Sequence, residues 1–434
     1  MATTADLKHR HEISVARGVA TRSLYASRAD NAELWDVDGR RYIDFAAGIA
    51  VNNTGHRHPK VMTAVAAQAE AFTHTCFHVA PYESYIRLAE RLNAATPGDF
   101  DKKTMLATTG VEAVENAVKM ARAHTGRSGV IAFSGAFHGR TLLGMALCGK
   151  VAPYKKSFGA MPAEVYHAAF PNAFHGITVE DSLNDLDRLL RSTIDPERVA
   201  AIIVEPVQGE GGFNIAPHEF LKELRALADA HGMALIADEV QAGMARTGRL
   251  FAFEHAGVAA DLVTMAKGLA GGFPLSAVTG RAEIVDAAPT GGLGGTYAGN
   301  PLAIAAANAV LDIIEEEALC ACAEEIGERI KTRLQALSTR QGMEPIGDVR
   351  GLGAMMAFEV VSDRATGNPD PALTQAIVAE AEARGLIILP CGTHANVVRL
   401  LPPLTTPMHQ VDEALDIIEA AIEAAITKIA TAAA

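Results

Sequence analysis

The stretch Met233–Gly272, MALIADEVQAGMARTGRLFAFEHAGVAADLVTMAKGLAGG, holds two short apolar runs, each of which delivers one charged residue near its end. Ala234–Ala237 leads into Asp238, and Leu262–Met265 leads across Ala266 into Lys267, beside a glycine-rich segment. Short apolar runs bounded by loop residues read as buried strands, and adjacent parallel strands open at their carboxyl ends, where an α/β sheet collects ligands. The two runs therefore predict one carboxylate and one amine facing a common crevice.

Upstream, the same grammar repeats. Thr104–Thr108 precedes TTGVEAVENAVKMARAHTG, a loop and a helix stopped by Gly126, and Gly129–Phe133 ends in the polar loop Gly135–Gly139. Val199–Val204 runs into Glu205, and the helix Pro217–Ala230 has proline in its first turn and Gly232 just past its end. Ser276–Gly280 supplies one more strand, and helical patterns cover Pro59–Phe72 and Tyr82–Leu92. Strand–helix alternation with glycines at the switches predicts an α/β fold with a mostly parallel sheet covered by helices.

Farther out, AELWDVDGRRYIDF alternates about Asp38-Gly39, a hairpin signal, with Trp35, Val37, Tyr42 and Phe45 packing it down. Asn300 to about Leu337 reads as one long helical stretch leaving the sheet. Beyond 340, GLGAMMAFEVV, a helix Pro371–Arg384, GLIILP, NVVRLLPPL and a closing helix from Val411 make a smaller α+β domain. The expected division is an arm and hairpin over 1–58 that joins the small domain, a large domain over 59–325, and the small domain over 326–434.

Composition narrows the partners. A 49% hydrophobic and 21% charged chain of 434 residues can bury a sizeable core, and its net charge of −13 has no basic block to offset it. Nucleic acid and acidic membrane surfaces are therefore not expected partners, and an anionic substrate would need local arginines. The five cysteines lack disulfide or zinc spacing, so packing is their reading and no metal site is expected. With no apolar leader and no spanning run, the cytoplasm is the expected location.

The crevice residues suit pyridoxal phosphate. Amides at the start of the helix after TTG, from Gly110 and Val111, would take the phosphate at the positive end of the helix dipole, although one glycine before a helix is also an ordinary turn. Phe137 would stack on the ring, with the core as its plain alternative, and His138 would orient that loop. A buried Asp238 would keep the pyridine nitrogen protonated, where a helix cap is the bland reading; Glu239 should face the other way. Lys267, with almost no charged neighbours, would lose its charge by desolvation and serve as nucleophile and proton carrier. Arg140 and Arg399 would take carboxylates, Arg399 pairing with Glu210 of EPVQGEGG; an ion pair between domains is the alternative.

EPVQGEGG at 205–212, LIADEVQAGMARTG at 235–248, TMAKGLAGGFPL at 264–275 and GGTYAGNP at 294–301 together resemble the class III aminotransferases over nearly the entire chain. AAGIAVNNTGHRHPKV, TTGVEAVENAVKMAR and FSGAFHGRT resemble the bacterial branch acting on 4-aminobutyrate. The resemblance implies a fold type I pyridoxal phosphate enzyme with a mostly parallel seven-stranded sheet, assembled as a homodimer or a dimer of dimers with shared sites. By position it makes Lys267 the Schiff-base lysine and Asp238 the pyridine partner. Gln241 would contact the ring hydroxyl, Val240 would lie behind the ring, Phe137 would stack, and His138 and Glu205 would complete the cofactor shell. Thr296 would reach the phosphate of the other subunit.

For substrates, Ile49 and Arg140 would line the distal carboxylate side and Arg399 would bind the α-carboxylate, with Glu210 pairing with Arg399 only while an ω-amino substrate is bound. Val111 departs from the serine common in the family, which predicts a weaker phosphate grip. The implied reaction moves the terminal amino group of 4-aminobutyrate to 2-oxoglutarate, giving succinate semialdehyde and L-glutamate by a ping-pong mechanism. The competing readings are 5-aminovalerate or another ω-amino acid as donor and, from a different class, a non-catalytic binding protein of the same fold. Ornithine donors fit less well beside Ile49, and a racemase or aminomutase would need no keto acid.

Overall fold

A computed structural model describes residues 2–433 of the chain. At its centre lie seven strands, which we number β1 (Lys102–Ala107), β2 (Gly129–Phe133), β3 (Val165–Ala168), β4 (Val199–Val204), β5 (Ala234–Asp238), β6 (Leu262–Met265) and β7 (Ser276–Arg281). Their order across the sheet is β1-β7-β6-β5-β4-β2-β3. Neighbours from β6 through β3 are parallel, and β7 runs antiparallel to both β6 and β1. Fold type I architecture, with a large α/β domain and a smaller α+β part, is thus as expected.

Every residue of β2, β4, β5 and β6 is buried, because helices cover both faces. This explains why those strands read as continuous apolar runs rather than alternating ones. On one face Ala201, Ile203, Ala234 and Ile236 meet Val114, Val118 and Met120 of helix α1 (Gly110–Thr125). On the other, Ile202, Val204, Leu235 and Ala237 share a core with Phe220 and Leu224 of α2 (His218–His231) and with Ile304 and Val310 of α3 (Pro301–Glu316). α1 ends on Gly126 and α2 on Gly232, both in the left-handed conformation that glycine adopts without a Cβ penalty.

Two readings need correction. The predicted helix from Asn300 to Leu337 is two helices, α3 and Leu319–Ser338, broken where Ala318 takes φ +50°. Alanine and glutamate favour helix on both sides, so no local signal marked the break. β3, the short helix Leu142–Leu147 and the helix Val179–Ser192 were not predicted at all. β3 is an edge strand whose first three residues are only half-buried, so its VYHA pattern lacks the apolar run that revealed its neighbours.

The hairpin forms as read: Glu33–Asp36 pairs antiparallel with Arg41–Asp44, and the latter runs parallel to Leu386–Ile387. Tyr42 and Phe45 are buried as expected. A further sheet combines Ile346–Leu352, Met355–Asp363, Val397–Leu400 and Leu389–Cys391, and carries Arg399 toward the central crevice. Among the described residues, no helix is long and apolar enough to cross a membrane.

Candidate active site

The carboxyl ends of β5 and β6 open, with the start of α1, into a cavity of about 510 Å³. Gly110, Val111, Phe137, His138, Arg140, Glu205, Asp238, Val240, Gln241 and Lys267 all line it, which gathers ten predicted residues from segments spread over more than 150 positions. Gly110 is required there: a Cβ would fall 2.8 Å from Val240 Cγ1, so only glycine lets the helix start approach the end of β5. Thr109 and Glu112 form a capping box that takes up the amides of Thr108, Thr109 and Glu112. The cap leaves the Gly110 and Val111 amides free to serve an anion at the positive end of the helix.

Asp238 is buried and accepts three hydrogen bonds, which leaves an acceptor site open on Oδ2. Its Oδ1 accepts from the Val240 amide at 3.1 Å and the Thr264 hydroxyl at 3.0 Å, and its Oδ2 from His138 Nδ1 at 2.7 Å. Burial alone would push the His138 pKa down, yet the hydrogen bond and charge of Asp238 outweigh it and hold the imidazole above its usual value. Glu239 points away, as read, accepting from the Ala252 and Phe253 amides. Glu205 accepts the Phe137 and Gly209 amides at 2.9 and 3.0 Å, and burial pushes its pKa up to about 7.

Lys267 reaches the cavity from a residue with φ +44°, in the left-handed region where a non-glycine backbone costs about 1–2 kcal/mol. Desolvation is the main cause lowering its pKa and Arg399 adds to it, against the pull of Glu210, Glu205 and Asp238. An amine favoured in its neutral form can act as a nucleophile or base.

Arg399 and Glu210 lie beside the cavity wall rather than in it. Arg399 Nη1 donates to Glu210 Oε1, and both side chains are largely buried. Burial opposes both charges, but each partner overcomes it: Arg399 is held above its ordinary pKa and Glu210 below. Arg140 is exposed, with its guanidinium 5.4 Å from the centre of the Tyr154 ring, and makes no ion pair among the described residues. A bound carboxylate would therefore meet Arg140 without displacing a partner.

Two further predicted residues, Ile49 and Thr296, also stay outside the lining. Ile49 is 40% exposed and absent from the cavity lining, where Val51 stands instead. It belongs to a left-handed turn, Ala47–Ala50, with φ of 44°, 64°, 67° and 59°, tied down by Asp44 Oδ1 accepting the Ala46 and Ala47 amides. Thr296 is exposed and does not line this cavity. Sequence reading missed Thr264 and Tyr154. The single polar residue within LVTM was the available signal for Thr264, whereas nothing local marked Tyr154.

Pyridoxal phosphate fits this set of groups. The helix amides suit the phosphate, Phe137 is aromatic, and the buried Asp238 suits a protonated ring nitrogen. Gln241 Oε1 and His138 Nε2 are buried polar atoms with no partner among the described residues, and the acceptor on Gln241 suits a ring hydroxyl.

Comparison with known proteins agrees. The family model described as aminotransferase class-III matches residues 14–422. The 4-aminobutyrate aminotransferase GabT of Escherichia coli is 53% identical over 419 residues, covering 96% of this chain and 98% of that one. The 5-aminovalerate aminotransferase DavT of Pseudomonas putida is 52% identical over 418 residues, with 96% and 98% covered. A thermostable (S)-enantioselective omega-transaminase from Thermomicrobium roseum superimposes with a TM-score of 0.90 at 29% identity, covering 98% of this chain and 99% of that one. Fold, cavity chemistry and sequence relatives together establish that the chain belongs to the class III aminotransferases, the pyridoxal phosphate-dependent transferases of fold type I.

Proposed function

We propose that the protein transfers the terminal amino group of 4-aminobutyrate to 2-oxoglutarate, releasing succinate semialdehyde and L-glutamate. The observation that carries this reading is the pairing of buried Arg399 with Glu210 beside an unpaired Arg140. A substrate with one carboxylate needs Arg140 only, and leaves Arg399 neutralised by Glu210. A dicarboxylate needs both arginines, so Glu210 must turn away, and the same pocket then serves both halves of a ping-pong reaction. The similarity to proteins named for 4-aminobutyrate and 5-aminovalerate supports an ω-amino donor and leaves the two chain lengths as the competing assignments.

Bound pyridoxal phosphate supplies the electron sink and carries the amino group between half-reactions. Lys267 Nζ would hold the cofactor and, once freed, take the proton from the amine-bearing carbon of the donor. Asp238, oriented by His138 and Thr264, would keep a positive charge on the pyridine nitrogen. Gly110 and Val111 would bind the phosphate, Phe137, Val240 and Gln241 the ring, and Glu205 would fix the Phe137 backbone.

A panel of amine donors with 2-oxoglutarate tests the assignment. We expect 4-aminobutyrate to be the best donor, with 5-aminovalerate lower by about 10- to 200-fold in kcat/KM, the range one methylene is worth in a pocket. A preference for the longer donor would reassign the substrate, and no turnover with either would refute the reading.

Val111 gives a second test. A Cβ on Gly139 or Gly144 would lie 2.2 or 2.6 Å from Val111 Cγ2, so both glycines make room for its methyl. Val111→Ser should restore a hydroxyl near the phosphate and slow cofactor release by about tenfold, as expected for a hydrogen bond to a charged group. It should also cost the cofactor-free protein roughly 1 kcal/mol of packing. Unchanged release in a cofactor titration would show that the amides alone set the grip.

Family membership carries with it the homodimer with shared sites, and the exposed Thr296 is our candidate for reaching the partner's phosphate. The exposed Ile49 would likewise line a pocket completed at that interface. The domain division 1–58, 59–325 and 326–434 is supported by the central sheet lying within Lys102–Arg281 and by the pairing of Arg41–Asp44 with Leu386–Ile387. We assign the reaction to the cytoplasm, in keeping with five free thiols.

A further inference from the structure

Glu210 sits in a loop whose backbone is pinned. Gly392 donates its amide to the Glu210 carbonyl at 3.0 Å, and Arg350 Nε donates to the Gly212 carbonyl at 2.8 Å. A Cβ on Gly211 would lie 2.5 Å from the Gly135 carbonyl oxygen, so the loop also has no room to shift there. A change of partner by the Glu210 carboxylate is therefore a rotation of its side chain alone.

That side chain has two partners among the described residues. Arg399 holds Oε1, and the Tyr154 hydroxyl lies 3.4 Å from Oε2, a distance at which an O–H···O bond is weak. Tyr154 thus gives Glu210 little while Arg399 has it. Once Arg399 turns to a substrate carboxylate, Glu210 is left in a place where burial penalises its charge, and an unpaired charge there is costly. With Lys267 and Lys150 acting on it only through their charge, Tyr154 is the remaining side chain hydrogen-bonded to it among the described residues. It is 8% exposed, and its ring is fixed by Phe137 at 4.8 Å between centroids and by the Arg140 guanidinium. Burial also raises the phenol pKa, so the hydroxyl keeps its proton.

We propose that Tyr154 is a specificity-determining residue that receives Glu210 when it leaves Arg399, and so favours substrates carrying two carboxylates over those carrying one. The inference rests on the dual-substrate reading given above. Because Arg140 packs on the same ring, one aromatic residue adjoins both carboxylate-binding arms. An amine donor with a single carboxylate leaves Glu210 in place and gains nothing from the hydroxyl.

The test uses the holoenzyme, with glutarate and butyrate as unreactive probes of the two substrate classes and calorimetry as the readout. Tyr154→Phe, which keeps the ring, should weaken glutarate about tenfold, the size of one hydrogen bond to a charged group, and butyrate by less than about twofold. In a Glu210→Ala background the same substitution should change neither, because the hydroxyl acts through Glu210. Retained butyrate affinity certifies that the variant is folded. Equal weakening of both probes, no weakening of glutarate, or an undiminished effect without Glu210 would overturn the proposal. In the wild type, infrared difference spectra should show a tyrosine C–O shift with glutarate but not butyrate, and its absence would also count against the idea. Failure of the functional reading looks different: the wild type would then show no 2-oxoglutarate-dependent turnover of 4-aminobutyrate.

Discussion

Lys267→Ala should lower turnover of every amine donor by at least about 10⁴-fold, the upper range for a positioned acid–base group, or about 5.5 kcal/mol of barrier. It should also end covalent retention of the cofactor. Borohydride reduction followed by mass spectrometry would find the cofactor attached to the wild type and absent from the variant. The remaining contacts, from the Gly110 and Val111 amides, Asp238 and Gln241, would still bind the cofactor without a covalent bond. Steady turnover within tenfold of the wild type would refute the assignment.

The backbone at this position supplies a control. Because residue 267 sits at φ +44°, Lys267→Ala keeps the left-handed strain while Lys267→Gly relieves it. The glycine variant should be as inactive as the alanine variant yet more stable by about 1 kcal/mol in denaturant unfolding. Inactivity that tracked stability would implicate folding, whereas equal inactivity at unequal stability would isolate the amine.

The residues of this centre differ in how far the chain announced them. Asp238 and Lys267 stood out because each interrupts an apolar run that had to be buried, so its charge demanded a partner or a task. Gly126, Gly232 and the Asp38-Gly39 turn were legible for a local reason too, since each satisfies a backbone conformation within a few residues. The bond from His138 to Asp238 spans 100 positions and depends on β2 and β5 lying on either side of β4, an adjacency no window of sequence contains. Within its own segment His138 reads as a loop-orienting residue, whereas the fold makes it one of three donors that hold the central carboxylate. Tyr154 was invisible for the same reason: its importance comes from Glu210, Phe137 and Arg140 meeting around it. The break at Ala318 shows the converse, a local conformation imposed by packing where composition favoured helix.

The second large effect concerns that central carboxylate. Asp238→Asn preserves shape but removes the charge that would hold the pyridine nitrogen protonated, and kcat/KM should fall by about 10³-fold or more, roughly 4 kcal/mol of barrier. The amide must also choose a face. Its oxygen can accept from His138 Nδ1 only if its NH₂ group turns toward the Val240 amide and the Thr264 hydroxyl, where Asp238 Oδ1 accepts two hydrogen bonds. The other orientation sets the NH₂ group against His138 Nδ1, which accepts only if the imidazole carries its proton on Nε2, an atom with no partner among the described residues.

The pH dependence of stability separates charge from shape. In the cofactor-free wild type, His138 is held above its ordinary pKa, so the folded state binds the extra proton more tightly than the unfolded chain. That contribution is fully present below the ordinary histidine pKa and is lost as pH rises through the raised value. Without the Asp238 charge, burial dominates and drives His138 below its ordinary value, and the sign reverses: stability is then lost as pH falls. Glu205, pushed up to about 7 by burial and coupled to His138 and Asp238, titrates in the same window, so the difference between variant and wild type is followed in a Glu205→Gln background. Urea midpoints measured from pH 5 to 9 should show that difference shrinking as pH rises; a difference independent of pH would mean that His138 carries no proton that Asp238 controls.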